Sequence, residues 1–272
     1  MLLDYVKALE RSTQGERIEL ICSWLEELGI GYSFHDYGSG RNIATAVDER
    51  PVIAVATHHD VVAGSPGAND NGSATAVCFE ILRRSVTEPL ENHAVRAFFF
   101  DQEEQGLAGS LAYAKECGPG QLRALFNMEL VGAGDRFALW PLSAESRGDA
   151  LEAFEASAAA LGVRSRRFDR IITNAADHQS FWQQGFSETF TITCISEEDV
   201  NVASEYYRAM ARGGDRDALR RILHAAPLFR HYHQPTDDSS HLSESTLRMC
   251  ADAIWHAARR LDEGGTRTQP SS

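Results

Sequence analysis

Three acids, Asp101, Glu103 and Glu104, fall within four positions directly after the apolar run "AFFF" at residues 97–100. Adjacent carboxylates repel, and close to a core they are costly unless positive charge lies beside them. Either the segment ends in water, or it aims a pair of acids at a cation. Other residues of the right type lie elsewhere along the chain. "PVIAVAT" runs into His58, His59 and Asp60. Side chains two apart on a strand share a face, so His58 and Asp60 can point the same way. That pairing suits a metal-binding imidazole whose second nitrogen is held by a carboxylate. "GSPGANDNGS" puts Asp70 in a glycine-rich turn, "LRALFNMEL" carries Glu129 near its end, and "HYHQPTDDSSH" presents His231, His233, Asp237 and Asp238. Two imidazoles with several carboxylates are donors that zinc accepts.

Taken singly, each has an ordinary explanation. Asp70 can cap a helix, the paired glutamates can open one, and Glu129 can face an arginine. What joins them is the order of the elements that carry them. A helical region is expected over much of residues 2–28, followed by strands at "NIATAV" and "PVIAVAT" and a helix from about Asn71. "AVRAFFF" reads as a strand, "GLAGSLAYAKEC" as a helix, "LRALFNMEL" as a strand, "DALEAFEASAAALG" as a helix and "ETFTITC" as a late strand; a long helix runs from about Ser243 to Leu261. Alternating strands and helices predict an α/β three-layer sandwich, a mostly parallel twisted sheet flanked by helices. Such sheets collect ligands at the carboxyl ends of their strands, which is where the acids and imidazoles fall. The expected organisation is a single catalytic domain over residues 1–263, with a helical insert at about 195–230 and a disordered tail at 264–272.

Composition narrows the partners. The chain has 272 residues, 43% of them hydrophobic, and a net charge of −13, which argues against nucleic acid or an anionic membrane surface. The start "MLLDYVKALERS" has no basic segment leading into an apolar one, so no secretory signal is read there, and no apolar stretch approaches the length of a membrane span. Five scattered cysteines without a CxxC pair suit reduced thiols, and the expected location is the cytoplasm.

The segments "ATHHDVVAGSPGANDNGSATA", "FFFDQEEQGLAGS", "FNMELVG", "NAADHQSF" and "YHQPTDD", in this order from about Gly38 to Asp238, resemble the successive motifs of the zinc aminopeptidase family of the MH clan. Relatives of that family include glutamate carboxypeptidases, glutaminyl cyclases and the metal-free ectodomain of the transferrin receptor. The resemblance implies two zinc ions bridged by Asp70, with cobalt or manganese also acceptable to such donors. His58 and Glu129 would complete one site, and Glu104 and His233 the other. Glu103 would be the general base for a metal-activated water, Asp60 would orient His58, and Asp237 would do the same for His233. Asp177 and His178 match an element lining the site. The third motif of the family usually offers aspartate, and this chain departs from it with Glu129.

The expected activity is hydrolysis of a peptide or related amide bond, as in an aminopeptidase-like exopeptidase acting on small peptides or aminoacyl conjugates. A glutaminyl-cyclase-like acyltransferase and a carboxypeptidase or amide deacylase are the alternatives on the same fold. Between Arg208 and Arg230 six arginines (208, 212, 216, 220, 221, 230) face only Asp215 and Asp217. They suggest a lid selecting an acidic substrate, since arginine binds carboxylates bidentately; a subunit interface in a homo-oligomer is the other use for them.

Overall fold

The computed structural model describes residues 1–169 and 176–264. Its centre is a sheet of eight strands in the order β1-β2-β4-β3-β5-β8-β6-β7. The strands span Tyr32–Tyr37 (β1), Gly40–Thr45 (β2), Val52–His58 (β3), Ala94–Phe100 (β4), Leu122–Met128 (β5), Arg136–Trp140 (β6), Ser165–Arg167 (β7) and Thr189–Ile195 (β8). The middle four, β4-β3-β5-β8, run parallel. Their sequences are nearly continuous in apolar residues because both faces are covered. In β4 the alternation is visible within the phenylalanine run. Phe98 and Phe100 join a cluster with Phe181 on one face, while Phe99 packs on the other face with Phe79.

Four of the seven strand pairings are parallel, β6 with β7 included, so the sheet is mostly parallel as expected, with antiparallel pairings toward its edges: β2 runs against β4, β1 against β2, and β6 against β8. The link from Tyr37 to Gly40 is too short for a crossover, which leaves a hairpin as the only solution for β1 and β2. Strands β1, β6 and β7 were not among the expected elements; β1 and β7 are only partly buried and carry no apolar run.

On one face lie α1 (Leu2–Leu9), α2 (Gln14–Glu27), α3 (Ser73–Thr87), α5 (Asp149–Ala160) and α9 (Glu244–Gly264). The opposite face is covered by α4 (Ala108–Cys117) and α6 (His178–Trp182). The expected first helical region divides in two because Thr13 and Glu16 form a reciprocal capping box, and a second helix starts there. In the expected insert, α7 (Glu197–Ala211) and α8 (Arg216–His224) flank Gly213 and Gly214, and a short turn Pro227–Phe229 follows. Gly264 ends α9, and the rest of the expected tail lies outside the described residues, as do Asn174 and Ala175 of "NAADHQSF".

Candidate metal centre

Strands β3, β4 and β5 end side by side, with His58 registered against Phe100 and Ala56 against Asn127. The residues that follow each strand therefore emerge along one edge. His58 is the last residue of β3, Glu103 and Glu104 follow β4, and Glu129 follows β5. Asp70 reaches the same edge on a wide turn, Ala68–Gly72, that leads into α3. His233 is brought in by the loop before α9, in the left-handed backbone region at φ 58°.

The five residues named above as ligands come together in two overlapping sets. His58, Asp70 and Glu129 offer atoms within 4.8 Å of one another, and so do Asp70, Glu104 and His233. His58 Nε2 lies 3.1 Å from Asp70 Oδ1 and 3.3 Å from Glu129 Oε2. His233 Nε2 lies 3.2 Å from Asp70 Oδ2 and 3.0 Å from Glu104 Oε2. Asp70 thus turns one oxygen to each imidazole. A third grouping, His58 with Glu103 and Glu104, is equally compact, so Glu103 stands beside both sets.

No ion is present, and the residues themselves test whether one fits. Asp70 Oδ2, Glu104 Oε1 and His233 Nε2 are buried without a hydrogen-bond partner, although His233 Nε2 sits at ion-pair distance from two carboxylates. Close approach without hydrogen-bond alignment is the arrangement of donors gathered around a cation. Nitrogen and oxygen donors in threes are also a set that zinc takes. The residues fit.

Two aspartates fix the segments that carry these donors. Asp60 Oδ1 and Oδ2 accept the backbone N–H groups of Glu103 and Glu104 at 3.0 and 3.2 Å. Asp60 also faces His58: Nδ1 donates to its carbonyl oxygen at 3.0 Å and lies 3.3 Å from Oδ1. Asp237 was expected to hold His233, but its carboxylate accepts the N–H groups of Asn69 and Asp70 at 2.9 and 3.1 Å. It sets the turn under Asp70, because backbone donors exposed by that turn need acceptors. Two asparagines absent from the sequence expectations hold Glu129. Asn71 Nδ2 donates to Oε2 at 2.6 Å and Asn127 Nδ2 to Oε1 at 3.3 Å.

Burial and crowding set the protonation of the cluster. Burial pulls His58 down, but Glu129, Asp60 and Asp70 reverse this and leave it well above the ordinary histidine range. His233 is pushed up to about 9 by Asp70 and Glu104 against the opposing effect of burial. Burial raises Glu103 well above the usual carboxylate range, and nearby Glu129, Asp177 and Asp70 add to the effect. Asp177 is raised to about 7, first by burial and then by Glu129. Asp177 and His178 lie behind the cluster. Asn127 Nδ2 donates to Thr191 Oγ1 at 2.9 Å, and the Thr191 hydroxyl and His178 Nδ1 share a hydrogen bond at 2.7 Å. Burial lowers His178 to about 3, so the ring is neutral. His59 points away, accepting from Gln14 and donating to the Arg41 carbonyl. His231 stacks on His241 outside both sets.

Beside Asp70, Glu103 and Glu129 opens a cleft of about 830 Å³, its mouth included. Its walls are mostly apolar: Leu130, Trp140, Phe168 and Ile195 from the sheet side, and Val202, Leu223, Leu228 and Phe229 from the insert. Contrary to expectation, the cleft itself is not lined by arginine, although Arg230 borders the neighbouring groove with Tyr232 and His233. All six arginines are exposed, and none lines the cleft. Helix α8 buries Leu219 and Leu223, so its arginines occupy the opposite, solvent-facing side. Tyr232 also lines the cleft, with its ring stacked 3.6 Å from that of His233. It was missed in sequence, where its one signal is adjacency to His233. Burial and the surrounding acids raise its phenol strongly, so it keeps its proton.

A doubly wound sheet with two carboxylate–imidazole sets sharing one aspartate defines an α/β protein built around a candidate dimetal centre. The chain belongs to Peptidase family M28, whose profile matches residues 42–258. It is similar to aminopeptidase YwaD of Bacillus subtilis (strain 168), 38% identical over 84 residues, which are 30% of this chain and 18% of that protein. The fold resembles that of BSAP, a zinc aminopeptidase from Bacillus subtilis, with a TM-score of 0.61 and 22% identity over 81% of this chain and 49% of that one. It also resembles Porphyromonas gingivalis glutaminyl cyclase, with a TM-score of 0.67 and 16% identity over 97% and 98% of the two chains. The match thus spans less than a fifth of YwaD and about half of BSAP.

Proposed function

We propose that this protein is a metal-dependent exopeptidase that removes an apolar residue from the amino end of small peptides or aminoacyl conjugates. The carrying observation is the pair of donor sets sharing Asp70, with Glu103 beside both at the mouth of an apolar cleft. His58, Asp70 and Glu129 would hold one divalent ion, and Asp70, Glu104 and His233 the other. Zinc is the expected metal for the family, with cobalt or manganese accepted by the same donors. Bound there, the ions supply charge that polarises a carbonyl and acidifies a water molecule.

The remaining steps belong to the protein. Glu103, raised by its buried surroundings, takes a proton from the attacking water and returns it to the departing amine. Burial alone would keep it protonated, and the charge of the ions would favour the carboxylate that the first half requires. Tyr232 keeps its proton and offers an O–H to an oxygen developing charge in the cleft. Trp140, Phe168, Leu223 and Phe229 receive the apolar side chain and exclude water from it.

Polarity at the cleft favours the amino end over the carboxyl end. Among the described residues, the charged groups lining it are Asp70, Glu103, Glu129 and Asp199, and no lysine or arginine is among them. Asp70 and Glu129 would be taken up by the ions, so what favours an amino end is the lack of a lysine or arginine on the cleft wall to pair with a substrate carboxylate. The decisive experiment supplies zinc-loaded protein with matched peptides whose amino or carboxyl terminus is free or blocked, together with an amino-terminal glutamine substrate. Release of apolar residues only from free amino ends is expected. Pyroglutamate formation without hydrolysis, or no turnover by protein shown to hold metal, would refute the proposal.

A further inference from the structure

Among the described residues Arg17 is the largest of the fully buried side chains, at 1% exposure, and it sits on α2, before the 42–258 region matched by the family profile. A guanidinium taken from water without a partner is costly. No ion pair joins it to a carboxylate among the described residues. Its Nη2 donates instead to main chain, to the carbonyl of Pro66 at 2.6 Å and to that of Gly67 at 3.3 Å, while the buried Nε has no hydrogen-bond partner. These carbonyls begin the turn that delivers Asp70. Gly67 has φ 63°, and a Cβ there would collide first with Val61 Cγ1 and stand 2.8 Å from the Asp70 carbonyl oxygen and 3.0 Å from Arg17 Nη2. The absence of a side chain lets the turn close over the guanidinium. From the other side Asp237 gathers the amides of the same turn, its carbonyl accepting from Ala68 and its carboxylate from Asn69 and Asp70. The negative groups nearest in effect to Arg17 are Asp237, Asp70 and Asp60.

We infer that Arg17 is a positioning residue for the metal centre: by fixing the Pro66 and Gly67 carbonyls from the N-terminal helix, it holds Asp70 where both ions share it. The inference rests on the proposed dimetal reading. A side chain that only fills the core would affect folding stability and leave metal affinity alone. One that sets Asp70 must weaken both ions together, since that carboxylate belongs to both donor sets.

The test is zinc binding by the full chain, measured for both ions by competition with a chromophoric chelator, with circular dichroism reporting the fold. Arg17→Met should bind both ions about 10–100-fold more weakly, the range typical for removing a group that orients a ligand. Arg17→Lys keeps the charge and one donor, and should show a smaller loss in the same direction. A folded Arg17→Met protein that binds both ions as tightly as wild type, or loses only one, overturns the inference. If Arg17→Met does not fold, unchanged affinity in Arg17→Lys overturns it and a parallel loss at both ions supports it. Wild-type protein that binds no zinc would instead defeat the dimetal reading itself, so the two failures are distinct.

Discussion

Replacing Asp60 by asparagine removes almost no volume, yet it should slow the enzyme and lower its stability. Both carboxylate oxygens of Asp60 are engaged, one with the Glu103 N–H and the other with the Glu104 N–H. An amide has one oxygen, so in Asp60→Asn one of these N–H groups faces an NH2 instead of an acceptor. The residue is 5% exposed, and solvent cannot step in. Losing a hydrogen bond to a charged acceptor costs about 1.5–3 kcal/mol, so a central value of about 2 kcal/mol applies. If that distortion falls on Glu103 in the transition state, it corresponds to about a 30-fold fall in kcat, at about 1.36 kcal/mol per tenfold. The same loss lowers Tm by about 4–8 °C, taking about 2–4 °C per kcal/mol for a chain of this size. The apolar cleft is untouched, so KM for a leucine anilide should change little. Steady-state kinetics, a melting curve and zinc stoichiometry on one preparation distinguish the cases. A variant that melts lower but keeps wild-type kcat would mean that Asp60 supports the fold and not the position of Glu103.

Glu103→Gln should retain both zinc ions, as measured by metal analysis, while kcat falls by about 10²–10⁴, the usual contribution of a general acid–base group; appreciable remaining turnover would assign the proton transfer elsewhere. Phe229→Ala opens the apolar wall and should reduce kcat/KM for leucine substrates by about 1–3 kcal/mol worth, or about 5–150-fold, with a smaller effect on alanine substrates. An equal effect on both would show that the cleft does not receive the side chain. Stability of the chelated protein should fall as pH rises from about 6.5 to about 9. His233 has its folded pKa raised to about 9 from an ordinary 6.5, so its contribution is complete below 6.5 and is lost as pH climbs through 9. Asp177, raised from 3.8 to about 7, acts in the same direction over its own window. Melting curves across this range in chelator, against zinc-loaded protein, check the sign; a rising Tm would contradict it.

The candidate ligands were legible in the sequence because each stands at the end of an apolar strand or in a motif with fixed neighbours. His58, Asp70, Glu104, Glu129 and His233 meet within the distances of two small sets. The buried central strands were readable for the same reason, since a run such as "AVRAFFF" is covered on both faces. What escaped was whatever depends on contacts between distant segments. Asp237 lies four residues after His233, yet its oxygens serve the backbone at Asn69 and Asp70, more than 160 positions away. Arg17 meets Pro66 and Gly67 across about 50 positions, and no local pattern announces it. The arginines of the insert misled because charge counts say nothing about which side of a helix faces the cleft. Only the burial of Leu219 and Leu223 decides that.

The division of labour between Glu103 and Glu104 follows from the same packing. Both leave β4 at its carboxyl end, and one aspartate captures both of their N–H groups, so their backbones are fixed as a unit. Their side chains then meet different surroundings. Glu104 places Oε2 3.0 Å from His233 Nε2, and that imidazole partly offsets the effect of burial. Glu103 is held well above the ordinary carboxylate range by burial, and only His58, acting at a distance, opposes the neighbouring acids. Two identical groups in unlike environments titrate apart, and the one with the higher affinity for a proton is the one fitted to carry it. Phe98 and Phe100 are buried on one face and Phe99 on the other, so the strand that leads into the two acids is packed from both sides.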